Sequence, residues 1–186
     1  KPGYVYSDLS FYLWPEIVPR LTGVDFEAYI KQNFYRPLGA HTLTFNPLRF
    51  FSKDRIIPTE RDTFFRMTLL HGRVHDEGAA MLSGISGHAG LFGSANDLAK
   101  LMQMYLNKGE YGGQRFIAAA SIEEFTRCAF CPEGNHRGLG FDRPLETHHP
   151  TRSYTAPSAS QASFGHSGYT GTFTWADPEN GLLLIF

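Results

Sequence analysis

Long apolar runs are missing. No stretch of the 186 residues approaches the roughly 18 consecutive apolar positions of a membrane-spanning helix. An excess of charge of either sign is missing as well: 17 lysines and arginines face 18 acids, for a net charge of −1 at pH 7. That balance leaves no basic footprint for a nucleic-acid backbone. Cysteine is scarce, with only Cys128 and Cys131, both inside CAFCPEGNH. A Cys-x-x-Cys pair serves as half of a zinc site, as a redox pair or as a local disulfide, or stays as reduced thiols. His136 offers a third zinc ligand, but no second Cys-x-x-Cys exists to complete a tetrahedron. Internal repeats are absent, and only the Ser/Ala/Pro/Thr-rich link from Thr151 to Ser163 is compositionally biased. What is present, 42% apolar and 15% aromatic residues, suffices for one globular domain with its own core.

Periodicity places helices first. SDLSFYLWPEIVPRLTG has a cap at Ser7 or Asp8, an apolar stripe of Leu9, Leu13, Ile17 and Leu21, and a stop at Gly23. Pro15 and Pro19 interrupt it, so the expectation is a kinked or broken helix. A second helix is expected from Asp25 to about Tyr35, closed by Pro37-Leu38-Gly39, and residues 41 to 75 read as irregular. The clearest helix starts after Ser94, with Asp97 at its third position and Gly109 as its stop. Leu98, Leu101, Met102, Tyr105 and Leu106 form its core face. Ser121 and Glu124 suggest a capping box for a short helix ending near Arg127. From Gly138 the chain reads as strands: GLGFDRP, SFGHSG, GTFTWAD and GLLLIF, with turns at Asp177-Pro178 and Asn180-Gly181. The expected class is therefore α/β or α+β, one domain over 1–186. About 7–93 is mainly helical and irregular, and about 94–186 is a helix followed by antiparallel strands.

Four small-residue turns carry chemistry-bearing side chains: Tyr6-Ser7-Asp8, Val74-His75-Asp76, Ser86-Gly87-His88-Ala89-Gly90 and His166-Ser167-Gly168. Flanking glycines let a substrate or another backbone approach closely. Each turn also has a plain structural reading, a satisfied histidine or a core aromatic. A tyrosine that transfers protons near neutral pH needs about 4 kcal/mol of phenolate stabilisation, typically from a lysine. Lys1, Lys31, Lys53, Lys100 and Lys108 hold no obvious position to give it to Tyr6.

PGYVYSDLSFYL, GISGHAGLFGSANDLAKLMQMYLN and FGHSGYTGTFTWADP, in this order and spacing, resemble the serine β-lactamase and penicillin-binding protein superfamily. The nearest branch is the class C-like one, with its esterases and D-Ala-D-Ala peptidases. VHDEGAAMLSGISGHAGLF and RCAFCPEGNHRGLGFD look most like the β-lactamase-like modules joined to family 3 glycoside hydrolases in bacterial envelope proteins. The resemblance implies a partial β-lactamase/transpeptidase-like fold and no metal or cofactor. It also implies an extracytoplasmic location, a small-molecule or peptide substrate, and a glycoside hydrolase domain as a possible companion in the same polypeptide. It makes Tyr6 the proton shuttle of a Tyr-x-Asn motif, with Asp8 where asparagine is usual; a carboxylate only accepts hydrogen bonds, whereas an amide also donates. His166-Ser167-Gly168 matches the third motif, Lys-Thr-Gly or His-Ser-Gly. His166 and Ser167 would then face the substrate carboxylate or the Tyr6 phenol. Gly168 would let the acyl group lie along the strand edge, and the Tyr169 N–H would donate to the oxyanion.

The superfamily's first motif, Ser-x-x-Lys, does not occur: no serine stands three residues before a lysine. Family order places it before the tyrosine motif, and both ends of the chain read as internal to a longer protein. The expected function is the C-terminal part of a serine hydrolase, inactive alone. The alternatives are a non-catalytic module of the same fold that binds cell-wall peptides or supports a partner domain, and a zinc-binding interaction domain on Cys128, Cys131 and His136. The resemblance implies a sheet that takes strands from outside residues 1–186, so this segment alone is expected to leave edges and apolar faces uncovered and to be poorly soluble or to need the missing portion as a partner. Size-exclusion chromatography with thermal unfolding checks this: a monomer that melts cooperatively would contradict it.

Overall fold

The computed structural model describes residues 4–131 and 134–186. The opening Lys1-Pro2-Gly3 and the Pro132-Glu133 step of the cysteine loop lie outside the described residues. The chain divides into two units, with the boundary between Asp97 and Leu98.

In the first unit the proline-interrupted segment splits where Pro15 demands it. A 3₁₀ turn over Leu9–Leu13 gives way to α1, Trp14–Thr22, with Pro15 in its first turn, where a missing N–H costs nothing. Gly23 closes α1 at φ 71°, its N–H donating to the Pro19 carbonyl at 2.8 Å. The expected apolar stripe is not buried: Leu9, Leu13 and Leu21 are 75%, 57% and 79% exposed. Glu16 and Arg20 pair one turn apart on its exposed face. Asp25 caps α2, Phe26–Ile30, accepting from the Ala28 N–H at 3.0 Å, and the helix runs on as a π-helical turn over Lys31–Tyr35.

The 41–75 region is more regular than its pattern suggests. It contains an antiparallel hairpin, β1 (Pro58–Asp62) and β2 (Thr68–His71). PTERD shows no apolar alternation because the hairpin is closed by a side chain instead. Asp62 accepts from the N–H groups of Phe64, Phe65 and Arg66 at 2.8–3.0 Å and from Arg66 Nε at 2.9 Å. These bonds, led by the one from Phe65, hold its carboxyl far below the usual carboxylate range. α3, Glu77–Met81, follows under an Asp76 cap.

α4, Ala95–Leu106, is the expected long helix: Ser94 Oγ accepts from the Asp97 N–H at 3.3 Å, and Gly109 ends it at φ 90°. Asp97 does more than cap, since its Oδ2 also accepts from the N–H and hydroxyl of Thr42, each at 2.7 Å. In the second unit a two-residue Gly112-Gly113 turn joins β3 (Glu110–Tyr111) to β4 (Gln114–Arg115), a hairpin with no apolar signature in the sequence. α5 runs over Ala119–Thr126 from an Ala118 cap, three residues earlier than the Ser121 box predicts. Ser121 thus lies inside the helix, and Glu124 pairs with Arg127 at 2.7 Å rather than reaching back. Of the four expected strands, GLGFDRP forms only isolated bridges, while β5 (Phe164–Ser167), β6 (Phe173–Asp177) and β7 (Leu182–Ile185) make one antiparallel sheet in the order β5-β6-β7.

Met102 of α4, Phe164 and Ala176 form the core of this unit, packed by Tyr105, Leu106, Phe141, Leu183 and Ile185. Phe141 meets Tyr105 and Phe164 edge-on, at centroid distances of 5.4 and 5.1 Å. Burying a side chain such as Phe164 contributes about 2–3 kcal/mol. No helix among the described residues is long and apolar enough to cross a membrane.

Asp177 locks the β6–β7 turn and the link before β5. It accepts from the Ser160 N–H and hydroxyl at 2.9 and 2.6 Å and from Asn180 Nδ2 at 2.8 Å. Burial pushes its carboxyl up, but these bonds outweigh burial and bring it down to about 2. Its unfolded value is about 3.9, so the stabilisation is complete above that pH and is lost as pH falls toward 2. Asp177→Asn should lower stability at pH 7 and flatten its decline between about pH 4 and 2. Urea unfolding at several pH values measures this, and an unchanged acid slope would contradict it.

Candidate active site

In the first unit, the tyrosine motif leads into the 3₁₀ turn. Tyr6 is 55% exposed, and Ser7 rather than Asp8 caps the turn, its Oγ accepting from the Leu9 N–H at 3.3 Å. One turn on, the Tyr12 ring stacks on His88 at 4.3 Å and 19°. Burial, and then the charges of Asp76, Asp8 and Glu77, raise the Tyr12 pKa, which makes this phenol a poor proton carrier.

His88 sits in a polar chain. Its Nε2 is 2.8 Å from Asp76 Oδ1 and its Nδ1 is 2.8 Å from Ser86 Oγ. The carboxylate only accepts, so Nε2 carries a proton, and in the neutral ring Nδ1 accepts from the serine hydroxyl. Asp76 Oδ1 also accepts from the Ala79 N–H at 2.6 Å, capping α3. Burial pushes the Asp76 pKa up, but the bonds from Ala79 and His88 outweigh it and the net shift is down. Serine, histidine and aspartate stand in the order of a hydrolase triad, yet Ser86 is only 3% exposed. With Ser86 and the His88 ring buried and tied to each other, the group acts as a scaffold that joins two of the turns singled out by sequence to the segment after Tyr6.

Glycines make that junction possible. A Cβ on Gly78 would fall 1.8 Å from the Tyr12 hydroxyl, and one on Gly87 2.5 Å from the Phe11 carbonyl oxygen. His75, the remaining histidine of these turns, pairs with Glu60 at 2.9 Å.

In the second unit β5 brings His166 and Ser167 to the sheet edge, with Gly168 and Tyr169 in the turn beyond. A Cβ on Gly165 would fall 2.0 Å from the Thr174 carbonyl oxygen, so only glycine permits this pairing with β6. Gly168 donates to the Thr172 carbonyl at 2.7 Å, and Tyr169 at the turn tip is 91% exposed. At the outer edge of β5, Asp142 and Gly165 exchange backbone bonds at 2.7 and 3.1 Å. Gly165 faces outward, so by strand alternation the backbone of Ser167 faces the same edge. Among the described residues no further strand pairs there.

Sequence reasoning did not single out Arg137. Its Nη1 donates to Asp142 Oδ1 and its Nη2 lies 3.2 Å from His166 Nε2. The only available signal was an arginine just after the cysteine loop, in HRGLGFD. The Cys128–Cys131 question resolves to a disulfide, so neither sulfur is a thiolate ligand; His136 Nδ1 lies 3.6 Å from Cys131 Sγ.

The Beta-lactamase family model matches residues 2–186. The chain belongs to the Beta-lactamase family. A provisionally named D-alanyl-D-alanine carboxypeptidase of Escherichia coli O157:H7 is 36% identical over 200 residues, covering 100% of this chain and 45% of that protein. A counterpart of the same name from Salmonella heidelberg is 35% identical with the same coverage. The chain thus spans about half the length of the curated relatives it matches. Among solved structures, a β-lactamase from Mycobacterium bovis aligns over 98% of this chain and 55% of its own, with a TM-score of 0.65 and 22% identity. A penicillin-binding protein homologue from Caulobacter crescentus aligns over 91% and 48%, with a TM-score of 0.60 and 22% identity. At this identity the structures establish the fold: mixed helices and antiparallel strands of the β-lactamase type.

For this member of the family, the His88 scaffold makes a graded prediction. His88→Ala strips partners from both Asp76 and Ser86 and should cost about 3 kcal/mol, whereas Ser86→Ala should cost about 1. Denaturant unfolding of the two variants checks the ranking, and a larger loss for Ser86→Ala would contradict it.

Proposed function

We propose that this chain supplies the tyrosine and His-Ser-Gly motifs of a serine hydrolase that forms an acyl-serine from β-lactam, D-Ala-peptide or ester carbonyls. The observation that carries the reading is the end of β5, where His166-Ser167-Gly168 leads out of an edge strand with the Ser167 backbone facing outward. An extended acyl group can add to such an edge through main-chain bonds. The provisional name of the curated relatives supports a D-Ala-peptide as one member of that substrate set.

In this reading Tyr6 shuttles the proton from the nucleophilic serine to the leaving group. The Tyr169 N–H donates to the oxyanion, Ser167 and His166 contact the substrate, and Gly168 keeps the strand edge clear of side chain. Asp8 accepts hydrogen bonds from the catalytic lysine. The serine and lysine come from a Ser-x-x-Lys segment ahead of the tyrosine motif in the full-length protein. The Cys128–Cys131 disulfide supports an extracytoplasmic location in the cell envelope, since such bonds persist in oxidising compartments. A glycoside hydrolase domain in the same polypeptide is part of the proposal on the strength of the cysteine-loop resemblance, and the parent gene sequence tests it.

One observation favours a second reading, a peptide-binding module without turnover: Asp8 cannot donate the hydrogen bond that the usual asparagine offers a substrate carbonyl. Labelling the full-length protein with a fluorescent penicillin and a fluorophosphonate separates the two. The enzyme reading expects one labelled serine and a loss of about a hundredfold or more in acylation rate for Tyr6→Phe. Absence of labelling by both probes, with retained binding of a D-Ala-D-Ala peptide, would establish the binding module instead.

A further inference from the structure

Both ring nitrogens of His166 are placed. Nδ1 lies 2.7 Å from the carbonyl oxygen of Ser167, and Nε2 lies 3.2 Å from Arg137 Nη2. A carbonyl oxygen only accepts and a guanidinium only donates, so the ring proton is on Nδ1 and the Nε2 lone pair faces Arg137. The opposite tautomer would set two N–H groups against each other and a lone pair against the carbonyl. Arg137 is itself held: its Nη1 donates to Asp142, and the two side chains are only 20% and 10% exposed. The Asp142 backbone then returns to β5 by its paired bonds with Gly165. The circuit is closed: Asp142 backbone, Gly165, His166, Arg137 and Asp142 carboxylate.

We propose that Arg137 is a positioning residue for the His-Ser-Gly strand: anchored on Asp142, it fixes His166 as the Nδ1–H tautomer and thereby holds the Ser167 carbonyl at the outer edge of β5. Ser167 contributes the outward-facing backbone next after Gly165, so its carbonyl direction sets the register of whatever adds to that edge. His166 in this state is a bracket between a cation and a carbonyl. The effect on acylation rests on the proposed hydrolase reading; the tautomer does not.

The test therefore has two independent readouts on the full-length protein. Nitrogen-15 spectra with labelled histidine should show His166 protonated at Nδ1 in the wild type and shifted toward Nε2–H in Arg137→Met, with Arg137→Lys intermediate. Asp142→Asn, which loosens the arginine without removing it, should shift the same signal, so the question survives if Arg137→Met fails to fold. Acylation by the penicillin probe should fall about tenfold to a hundredfold in Arg137→Met, chiefly in the acylation step, with partial recovery in Arg137→Lys. An Nε2–H tautomer in the wild type would overturn the proposal. So would an unchanged tautomer in Arg137→Met and Asp142→Asn, or a shifted tautomer with unchanged acylation. If the wild type is not acylated at all, the hydrolase reading fails while the tautomer result still stands.

Discussion

The outer edge of β5 depends on one residue, Asp142. Its main chain exchanges both hydrogen bonds with Gly165, and its carboxylate holds Arg137, which faces His166. Backbone and side chain of a single residue thus fix the strand at one point and the histidine at the next. Gly165 is the counterpart of this constraint. Any side chain there would collide with the Thr174 carbonyl, so the strand can be pinned between Asp142 and β6 only if that position is bare. The third-motif histidine is held from behind, before any substrate is considered.

The same rule of complementary donors gives opposite results at the two histidines. At His88 an acceptor, Asp76, stands at Nε2, so the neutral ring has its proton on Nε2 and accepts from Ser86 at Nδ1. At His166 a donor, Arg137, stands at Nε2, so the proton moves to Nδ1. Each ring has a glycine beside it in sequence, Gly87 next to His88 and Gly165 next to His166. Gly78 and Gly87 make room for Tyr12 and for the Phe11 backbone around the first ring's segment, and Gly165 and Gly168 make room for Thr174 and Thr172 beside the second. A hydrogen-bonding pattern that looks reactive on paper, Ser86–His88–Asp76, has its serine and its imidazole buried, whereas the histidine at the strand edge is the one next to outward-facing backbone.

The sequence made legible those features whose cause is local. Ser94 and Gly109 bracket α4 because caps and left-handed stops act within one turn, and the β5-β6-β7 meander follows from short turns such as Asn180-Gly181. The hairpin β1–β2 was illegible because its closure comes from the Asp62 carboxylate rather than from apolar alternation. The Ser121 box failed because such a motif is only permissive: the chain enters α5 at Ala118, and Glu124 takes Arg127 instead. At the candidate site the motif residues were readable by type and order. Arg137 was not, because 29 residues separate it from His166 and only the bridges through Asp142 bring them together.

The last strand explains why a continuous apolar run is a poor guide to one-sided burial. In β7, Leu183 and Ile185 pack on the core with Met102 and Ala176, while Leu182 and Leu184, on the other face, are 64% and 58% exposed. A strand meant for one wet face would alternate apolar with polar residues; this one is apolar on both. On that second face Trp175 lies flat against Phe173 at 5.6 Å, and its indole N–H is buried with no partner among the described residues. A sheet with two apolar faces is stable when both are covered, and α4 contributes to the cover of one of them. The exposed leucines of β7 and the exposed stripe Leu9, Leu13 and Leu21 share this feature: they are apolar positions that the described residues leave uncovered.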